Sequence, residues 1–425
     1  MSWLFLLVSL IGAGLTFNAY RPTYAPPRHA VISFFAGWLT TELALHHIAW
    51  QALATLIFVR LGALHGWPGK LGLLITLGSW VGMWRCYWRA SEAEHVVERA
   101  LSVGLGEDYR SEIRPEIGAQ FAPTVDWMQI AMPFPMRLRE VARIRDVQFT
   151  RAAGLNLKLD VYRHRERPNG CPTLLQIHGG GWVIGSKNEQ GIPLMLQMAS
   201  RGWVCVSADY RLSPHATFPD HLVDVKQAIK WIREHGAEYG ANPDFIVITG
   251  GSAGGHLAAL AALTANDPEY QPGFETVDTS LQGCVPFYGV YDFTDRHGSL
   301  HHDALAELLE QRVMKASRAE APDAYHKASP MSRVHADAPP FFVIHGDRDT
   351  LVPVAEARHF VDILRGVTRA PVVYAEIPGA QHAFELFPSL RTTFVVHGVE
   401  RFLAYLYSRH LAARRTEATS VAAVG

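Results

Sequence analysis

Residues 249–260 read TGGSAGGHLAAL, one serine among four glycines, set between the apolar run FIVIT (245–249) and the alanine-rich run HLAALAAL (256–263). The first run predicts a buried strand and the second a helix, so the glycines sit where a strand hands over to a helix. Gly250-Gly-Ser-Ala-Gly254 fits G-x-S-x-G, in which the residues two positions either side of the serine lack a Cβ so that strand and helix can approach closely. The serine then occupies a strained turn and stands exposed at the carboxyl end of a strand. The pattern alone arises by chance in roughly one chain of this length in eight, so its strand-to-helix setting carries the reading. No Lys-Ser/Thr pair follows, as a phosphate-binding Walker loop requires, and the glycines do not follow the first strand as a dinucleotide fingerprint requires.

A second glycine cluster, His178-Gly-Gly-Gly-Trp182, follows the strand-like TLLQIH. Consecutive glycine N–H groups can turn toward one point and hold a negatively charged oxygen. Gly180 and Gly181 are the expected donors, with the N–H of Ala253 as the third. His178 is expected to brace the loop.

A serine attacking at neutral pH needs a base, and the base needs an orienting carboxylate. After FFVIH comes GDRDTLVP (346–353), and after VVYAEI comes PGAQHAF (378–384). Each is a strand followed by a loop, which brings Asp349 and His382 to the same sheet edge as Ser252. Asp347 competes with Asp349 but is expected to bond its own turn. His256 and His345 lack a comparable strand-to-loop setting and read as structural or surface residues. Asp209 and Arg211, in DYRLSP (209–214), are expected to tie the loop after WVCVSA by hydrogen bonds and charge pairing.

The chain has 425 residues, 48% hydrophobic, enough for one large domain with additions or for two. Thirty-nine basic and forty acidic residues leave a net charge of -1, which provides no field to hold the phosphates of a nucleic acid. The four cysteines, Cys86, Cys171, Cys205 and Cys284, show no CxxC spacing and read as buried free thiols.

The amino-terminal ninety residues differ from the rest. Residues 2–19 carry no charge, and residues 71–88 form a second apolar run broken only by Arg85. Each can cross a hydrocarbon core, which takes about twenty helical residues. Between them a third span is expected over 46–64, with FFAGWLTTELALHH (34–47) at the interface or packed against the other helices. A cleaved signal peptide is the rival for the first segment, but the start lacks a basic residue and a small-x-small site. A soluble helical bundle is the other rival. With three spans, Arg21 and Arg28 share a side with Arg85, Arg89 and the remaining chain, which favours a membrane protein with a cytoplasmic catalytic domain. Glu42 and His46, at i and i+4, invite a metal or proton-relay reading, although a hydrogen-bonded pair at an interface is preferred.

From Arg143 onward the pattern becomes regular. IRDVQFT and LNLKLDVY alternate as antiparallel strands around Ala153-Gly154, and six apolar strands follow, separated by helix-length segments, which implies a mainly parallel sheet covered on both faces. Taken with HGGGW, DYRLSP, GGSAGGHLA (250–258), HGDRDTLVP (345–353) and GAQHAF, the chain resembles the α/β-hydrolase superfamily, specifically its hormone-sensitive-lipase-like esterase and lipase group. The resemblance covers about 140–411. It implies an α/β-hydrolase fold with Ser252 as nucleophile, His382 as general acid–base, Asp349 as its orienter, and Gly180, Gly181 and Ala253 as the oxyanion hole. No metal or organic cofactor is implied. Many members of that group carry an acidic residue where this chain has Gly251, which points toward the neighbouring esterase and formamidase-like branches, and the amino-terminal helices lie outside the family core.

The expected organisation is a membrane-associated region over 1–90, a connector or cap over 91–140, a catalytic domain over 141–411 and a disordered tail over 412–425, with 292–335 as a further cap. The expected activity is hydrolysis of a hydrophobic or lipid ester at a membrane. An amide or formamide hydrolase would use the same residues, acyl transfer to an alcohol stays open, and a non-catalytic hydrolase-like binding protein is the rival from another class.

Overall fold

The computed structural model describes residues 1–121, 124–166, 169–299 and 303–424. Residues 122–123 and 300–302 of the two expected cap segments, and Gly425 of the expected tail, lie outside the described residues.

Eight strands form one sheet in the order β1-β2-β4-β3-β5-β6-β7-β8. Strands β1 (Val141–Ala152) and β2 (Leu155–His164) pair antiparallel around Ala153-Gly154. Both turn residues have positive φ, 46° and 81°, as a two-residue turn matched to strand twist requires. Strands β3 (Cys171–Ile177), β4 (Val204–Ala208), β5 (Ala241–Gly251), β6 (Gly283–Phe287), β7 (Phe341–Gly346) and β8 (Val372–Ile377) run parallel. Side chains alternate across a strand, and here both directions are apolar. Leu175, Ile246, Ile248 and Val343 enter one buried cluster; Leu174, Val247, Phe342 and Ile344 enter the other.

Among the described residues, the five long helices that precede the sheet are α1 (Ser2–Tyr20), α2 (Pro27–Glu42), α3 (Ala44–Arg60), α4 (Trp67–Ala90) and α5 (Glu92–Leu105). Within and after the sheet come α6 (Ile192–Ser200), α7 (Asp220–His235), α8 (Ala253–Leu263), α9 (Val354–Val367) and α10 (Leu390–Val424). Helices α7, α8 and α9 cover the first face, and α5, α6 and α10 the second.

Two segments differ from the sequence expectation. Helix α5 opens the stretch expected as connector or cap, yet it lies on the sheet. Ala93, Val97 and Leu101 recur at helical spacing and are fully buried, and a Cβ on Gly398 of α10 would meet Val97 Cγ1 at 1.9 Å. Helix α10 takes in residues 412–424, where the sequence suggested a disordered tail.

Helices α1 and α4 run side by side in the same direction. Ser9 bonds Thr76 (2.9 Å), Thr16 bonds Ser79 (2.7 Å) and the Tyr20 hydroxyl donates to the Gly82 carbonyl (2.7 Å). Small and hydroxylated residues face each other, while Leu4, Leu7, Phe17, Leu74, Val81 and Trp88 face outward. Of the three spans expected, α1 alone is a single helix long and apolar enough to cross a membrane among the described residues; α2 and α3 satisfy the test only together, and they bend by 88°. Helix α2 lies on the catalytic domain. The Thr350 hydroxyl donates to the Ala30 carbonyl (3.0 Å), and the buried Arg391 of α10 pairs with the buried Glu42.

Glu42 and His46 do not bond each other. Glu42 is held by Arg391 and by the Ser389 hydroxyl (2.7 Å), and His46 Nε2 contacts the Ala131 carbonyl (3.0 Å). No metal-holding cluster of His, Cys, Asp or Glu occurs among the described residues. All four cysteines are buried and stand outside any disulfide.

Candidate active site

Ser252 stands between β5 and α8 with φ 59° and ψ -122°, a left-handed backbone that is unfavourable for a residue with a Cβ. The fold holds it there through two bonds: its N–H donates to the Phe287 carbonyl (3.0 Å), and its carbonyl accepts from the His256 N–H (2.9 Å). The glycines are required by close approach. A Cβ on Gly250 would lie 2.5 Å from the Gly254 carbonyl oxygen, and one on Gly254 would lie 2.2 Å from that of Ile177. The Ser252 side chain caps no N–H of α8 and is partly open to solvent.

Asp349 and His382 meet at the ends of β7 and β8. The His382 Nδ1–H donates to Asp349 Oδ2 at 2.6 Å, with the two side chains 6% and 0% exposed. The other carboxylate oxygen accepts the N–H groups of Leu351 (2.9 Å) and Val352 (2.8 Å). Burial by itself would raise the Asp349 carboxyl; His382, together with His345, outweighs it and holds the group well below the ordinary carboxylate range. Asp347 does not close its own turn. It accepts the Gly379 N–H (2.6 Å) and pairs with Arg89 of α4 (3.3 Å), which anchors the loop carrying His382.

His345, read from the sequence as a structural or surface residue, lies against Asp349. Its Nε2 lies 3.3 Å from Asp349 Oδ2 and 2.9 Å from the Val352 carbonyl, and it is fully buried. Its position as the fifth residue of β7 places it one helical-turn length before Asp349, a relation that only the tight turn 346–349 turns into contact. Gln381 was likewise missed: its Oε1 accepts the N–H groups of Thr350 (2.7 Å) and His382 (3.0 Å), joining the two loops.

The HGGGW loop is braced as expected. His178 stacks on Tyr210 (4.3 Å between ring centroids), and its Nδ1 lies 2.7 Å from the Gly179 carbonyl. Burial pushes His178 down to about 4, so it stays neutral near pH 7. Trp182, with φ 62°, donates its indole N–H to His256 Nδ1 (3.2 Å); His256 Nε2 is therefore the protonated nitrogen and donates to the Ala328 carbonyl (2.8 Å). Gly180 has φ 110° and Gly181 φ 59°. Their N–H groups close no hydrogen bond of the loop; the Gly180 carbonyl accepts those of Val183 and Ile184, both at 3.1 Å. The Ala253 N–H opens helix α8, where the first turn leaves donors unspent. From the expected cap, Leu308 reaches this loop, 3.2 Å from where a Cβ on Gly181 would stand. Asp209 accepts the Lys187 N–H (2.8 Å), and Arg211 pairs with Asp224 (2.7 Å).

A further contact reaches the site from outside the catalytic domain. Phe34 of α2 is edge-on to the His382 ring at 6.0 Å and stacks on Trp38, which in turn touches Phe387.

A mainly parallel sheet flanked by helices, with a strained serine after β5 and a hydrogen-bonded acid–histidine pair after β7 and β8, defines an α/β-hydrolase. Residues 159–364 match the BD-FAE family. The chain is 42% identical over 413 residues to the probable carboxylic ester hydrolase LipM of Mycobacterium tuberculosis, covering 95% of this chain and 93% of that protein. It is 40% identical over 389 residues to the esterase LipQ of the same organism, covering 90% and 87%. A truncated carbohydrate esterase from gut microbiota shares the fold at TM-score 0.52 and 23% identity, over 61% of this chain and 96% of that one. The chain belongs to the family of LipM and LipQ, and it is a serine ester hydrolase acting on carboxylic esters.

Proposed function

We propose that Ser252 is the nucleophile of this hydrolase, that His382 is its general acid–base and that Asp349 orients the imidazole. Ser252 attacks the ester carbonyl carbon as His382 Nε2 takes the hydroxyl proton, while the Asp349 carboxylate stabilises the imidazolium through Nδ1–H. The carbonyl oxygen becomes an oxyanion held by the N–H groups of Gly180, Gly181 and Ala253, each such donor contributing roughly 3 kcal/mol to the transition state. The alcohol leaves with the proton from His382; water then enters, gives a proton to His382 and attacks the acyl-enzyme, releasing the acid and free Ser252. The observation that carries this reading is the buried 2.6 Å bond between His382 and Asp349 at the same sheet edge as the strained serine.

The enzyme is further proposed to be membrane-anchored and to take a hydrophobic ester from the bilayer. The inverted polarity of the α1 and α4 pair supports this, with hydroxyls and glycines inward and Leu, Phe and Trp outward, as lipid-facing helices pack. The parallel course of α1 and α4 puts Arg21, Arg85 and Arg89 at the end facing the catalytic domain, which favours a cytoplasmic catalytic domain. A cavity of about 260 Å³ lies between α2, α3 and α4 and the chain that follows, walled by Leu45, Ala49, Trp127, Ile130 and Leu390 with Glu42, His46 and Ser389 at its polar side, and its apolar wall offers room for apolar substrate groups.

Treatment with a fluorophosphonate probe followed by peptide mapping tests the chemistry: label on Ser252 is expected, and label elsewhere or none would remove the mechanism. Carbonate extraction tests the anchor. The chain should stay in the membrane pellet, and its release into the soluble fraction would rule the anchor out.

A further inference from the structure

Glu385 is a buried carboxyl that the mechanism above does not use. It lies three residues after His382 and is 4% exposed. Its carboxylate accepts a hydrogen bond from the hydroxyl of Tyr288, itself fully buried. Tyr288 follows β6, and its backbone takes φ 36°, a conformation that a tyrosine adopts only when the surroundings impose it. Those surroundings are the site. The Tyr288 N–H donates to the Ile344 carbonyl of β7 (2.7 Å), and the preceding Phe287 carbonyl accepts the Ser252 N–H (3.0 Å).

The Tyr288 ring then spans the two halves of the site. On one side it fills the space beside the residue preceding the nucleophile, since a Cβ on Gly251 would stand 2.7 Å from the Tyr288 hydroxyl oxygen. On the other it lies against His382, with ring centroids 4.5 Å apart and planes inclined by 53°. Asp349 grips the imidazole at Nδ1; Tyr288 touches its face. Ala383, with φ 57°, turns the chain between His382 and Glu385 so that both reach Tyr288.

We propose that Tyr288 and Glu385 form a second carboxyl arm that positions His382, separate from Asp349 and occupying the space that Gly251 leaves open. This rests on the reading of His382 as the general base. Both are positioning residues: Glu385 fixes the Tyr288 hydroxyl, and the ring fixes the imidazole plane between Ser252 and Asp349. The arm is also electrostatic. Burial pushes Glu385 up to about 7, against the Tyr288 hydrogen bond and the nearby His382, while Glu42 of α2 pushes in the same direction as burial. Glu42 is itself paired with Arg391. Burial and Glu385 together raise Tyr288 far above the ordinary phenol range, so its hydroxyl remains a donor. Above neutral pH the carboxylate adds a negative charge beside the imidazolium that forms during attack.

The test compares Glu385→Gln and Tyr288→Phe with the wild-type full chain on a soluble ester, with Ser252→Ala and Asp349→Asn as controls. Each arm variant is expected to lower kcat roughly 10-fold with little change in KM, the cost of one hydrogen bond to a charged group. In Glu385→Gln the limb of the kcat/KM profile that rises through about pH 7 is expected to become shallower, because the carboxyl that gains its negative charge there, beside the imidazolium formed during attack, is gone. Tyr288→Phe keeps the carboxyl and should change that limb less. If Glu385→Gln does not fold, Tyr288→Phe and the pH dependence of its fluorophosphonate labelling rate carry the decision. Wild-type kcat and an unchanged limb in a folded arm variant, with the Ser252 and Asp349 controls inactive, overturn the proposal alone. An active Ser252→Ala variant overturns the underlying reading.

Discussion

Removing the Glu42 carboxylate tests whether α2 is part of the working enzyme. Glu42 is fully buried and bonds Arg391, which is also buried, and Ser389 at 2.7 Å. Arg391 Nη2 in turn donates to the Pro378 carbonyl (3.3 Å), at the start of the loop that carries His382. In Glu42→Ala the guanidinium keeps its burial and loses its counter-charge, and breaking a buried pair by removing one partner costs about 3–5 kcal/mol. Replacing both partners, as in Glu42→Leu/Arg391→Met, removes charge and desolvation cost together and should recover most of that loss. The expected cycle therefore has a strongly destabilised single variant, a milder double variant and a coupling of about 2 kcal/mol or more. Thermal unfolding in detergent gives the stability ranking, and kcat on a soluble ester gives the second reading. Glu42→Ala should lose activity below its unfolding temperature, since the 378–382 loop is freed at one end. Singles that cost under about 0.5 kcal/mol, or effects that simply add, would refute the idea that this pair joins the amino-terminal helices to the histidine loop.

Three further outcomes follow from the site. Asp349→Asn leaves His382 without its acceptor at Nδ1 and should lower kcat by roughly 10⁴-fold with the fold retained, as read by circular dichroism; a loss under tenfold would contradict the assigned role. Gly180→Ala introduces a Cβ that would stand 2.1 Å from the Ile184 carbonyl oxygen at φ 110°, so the loop must shift; kcat should fall roughly 10²–10³-fold, and near-normal turnover would mean that this loop does not hold the oxyanion. Glu356 is raised by burial to about 7 while its carboxylate accepts the N–H groups of Tyr291 (3.1 Å) and Asp292 (3.0 Å). A carboxyl raised in the folded state binds its proton more tightly than in the unfolded chain, so stability falls as pH rises from about 4.5 through 7. Glu356→Gln should flatten that slope by up to roughly 3 kcal/mol in denaturant titrations at pH 5 and pH 8; an unchanged slope would remove Glu356 as its source.

Where a residue's setting is local in sequence, that setting was legible. Ser252, Gly180, Asp349 and His382 each sit in a strand-to-turn context that a short window contains, and the structure brings the last two into contact as their spacing implied. The eight strands were legible for the same reason: β1 and β2 alternate about Ala153-Gly154, and the six later strands are apolar runs. What escaped are residues whose role exists only across elements. His345 reads as one more strand residue until the turn after β7 folds Asp349 back on it. Glu385 follows the histidine in sequence, but nothing in HAFELF indicates that a tyrosine from β6 will take its carboxyl. Asp347 was assigned to its own turn because a local N–H donor is the nearest one; the fold instead supplies the Gly379 N–H and Arg89.

The amino-terminal helices carry the same lesson further. Their composition predicts contact with lipid, and they expose large apolar side chains such as Leu4, Phe17 and Leu74, yet composition says nothing about which residues face the protein. Among the residues of α2 that turn inward are Phe34, Trp38 and Glu42, two aromatics and a carboxylate with three different partners: the His382 ring, Phe387 and Arg391. An anchor that only tethered a complete enzyme would need none of these contacts. Because Phe34 of α2 lies against the His382 ring and α3 and α4 continue from α2, the amino-terminal helices are tied to the histidine loop. Shortening the chain at Ser91 therefore removes side chains that touch the proposed histidine along with the proposed anchor, and activity lost in such a variant reports on both.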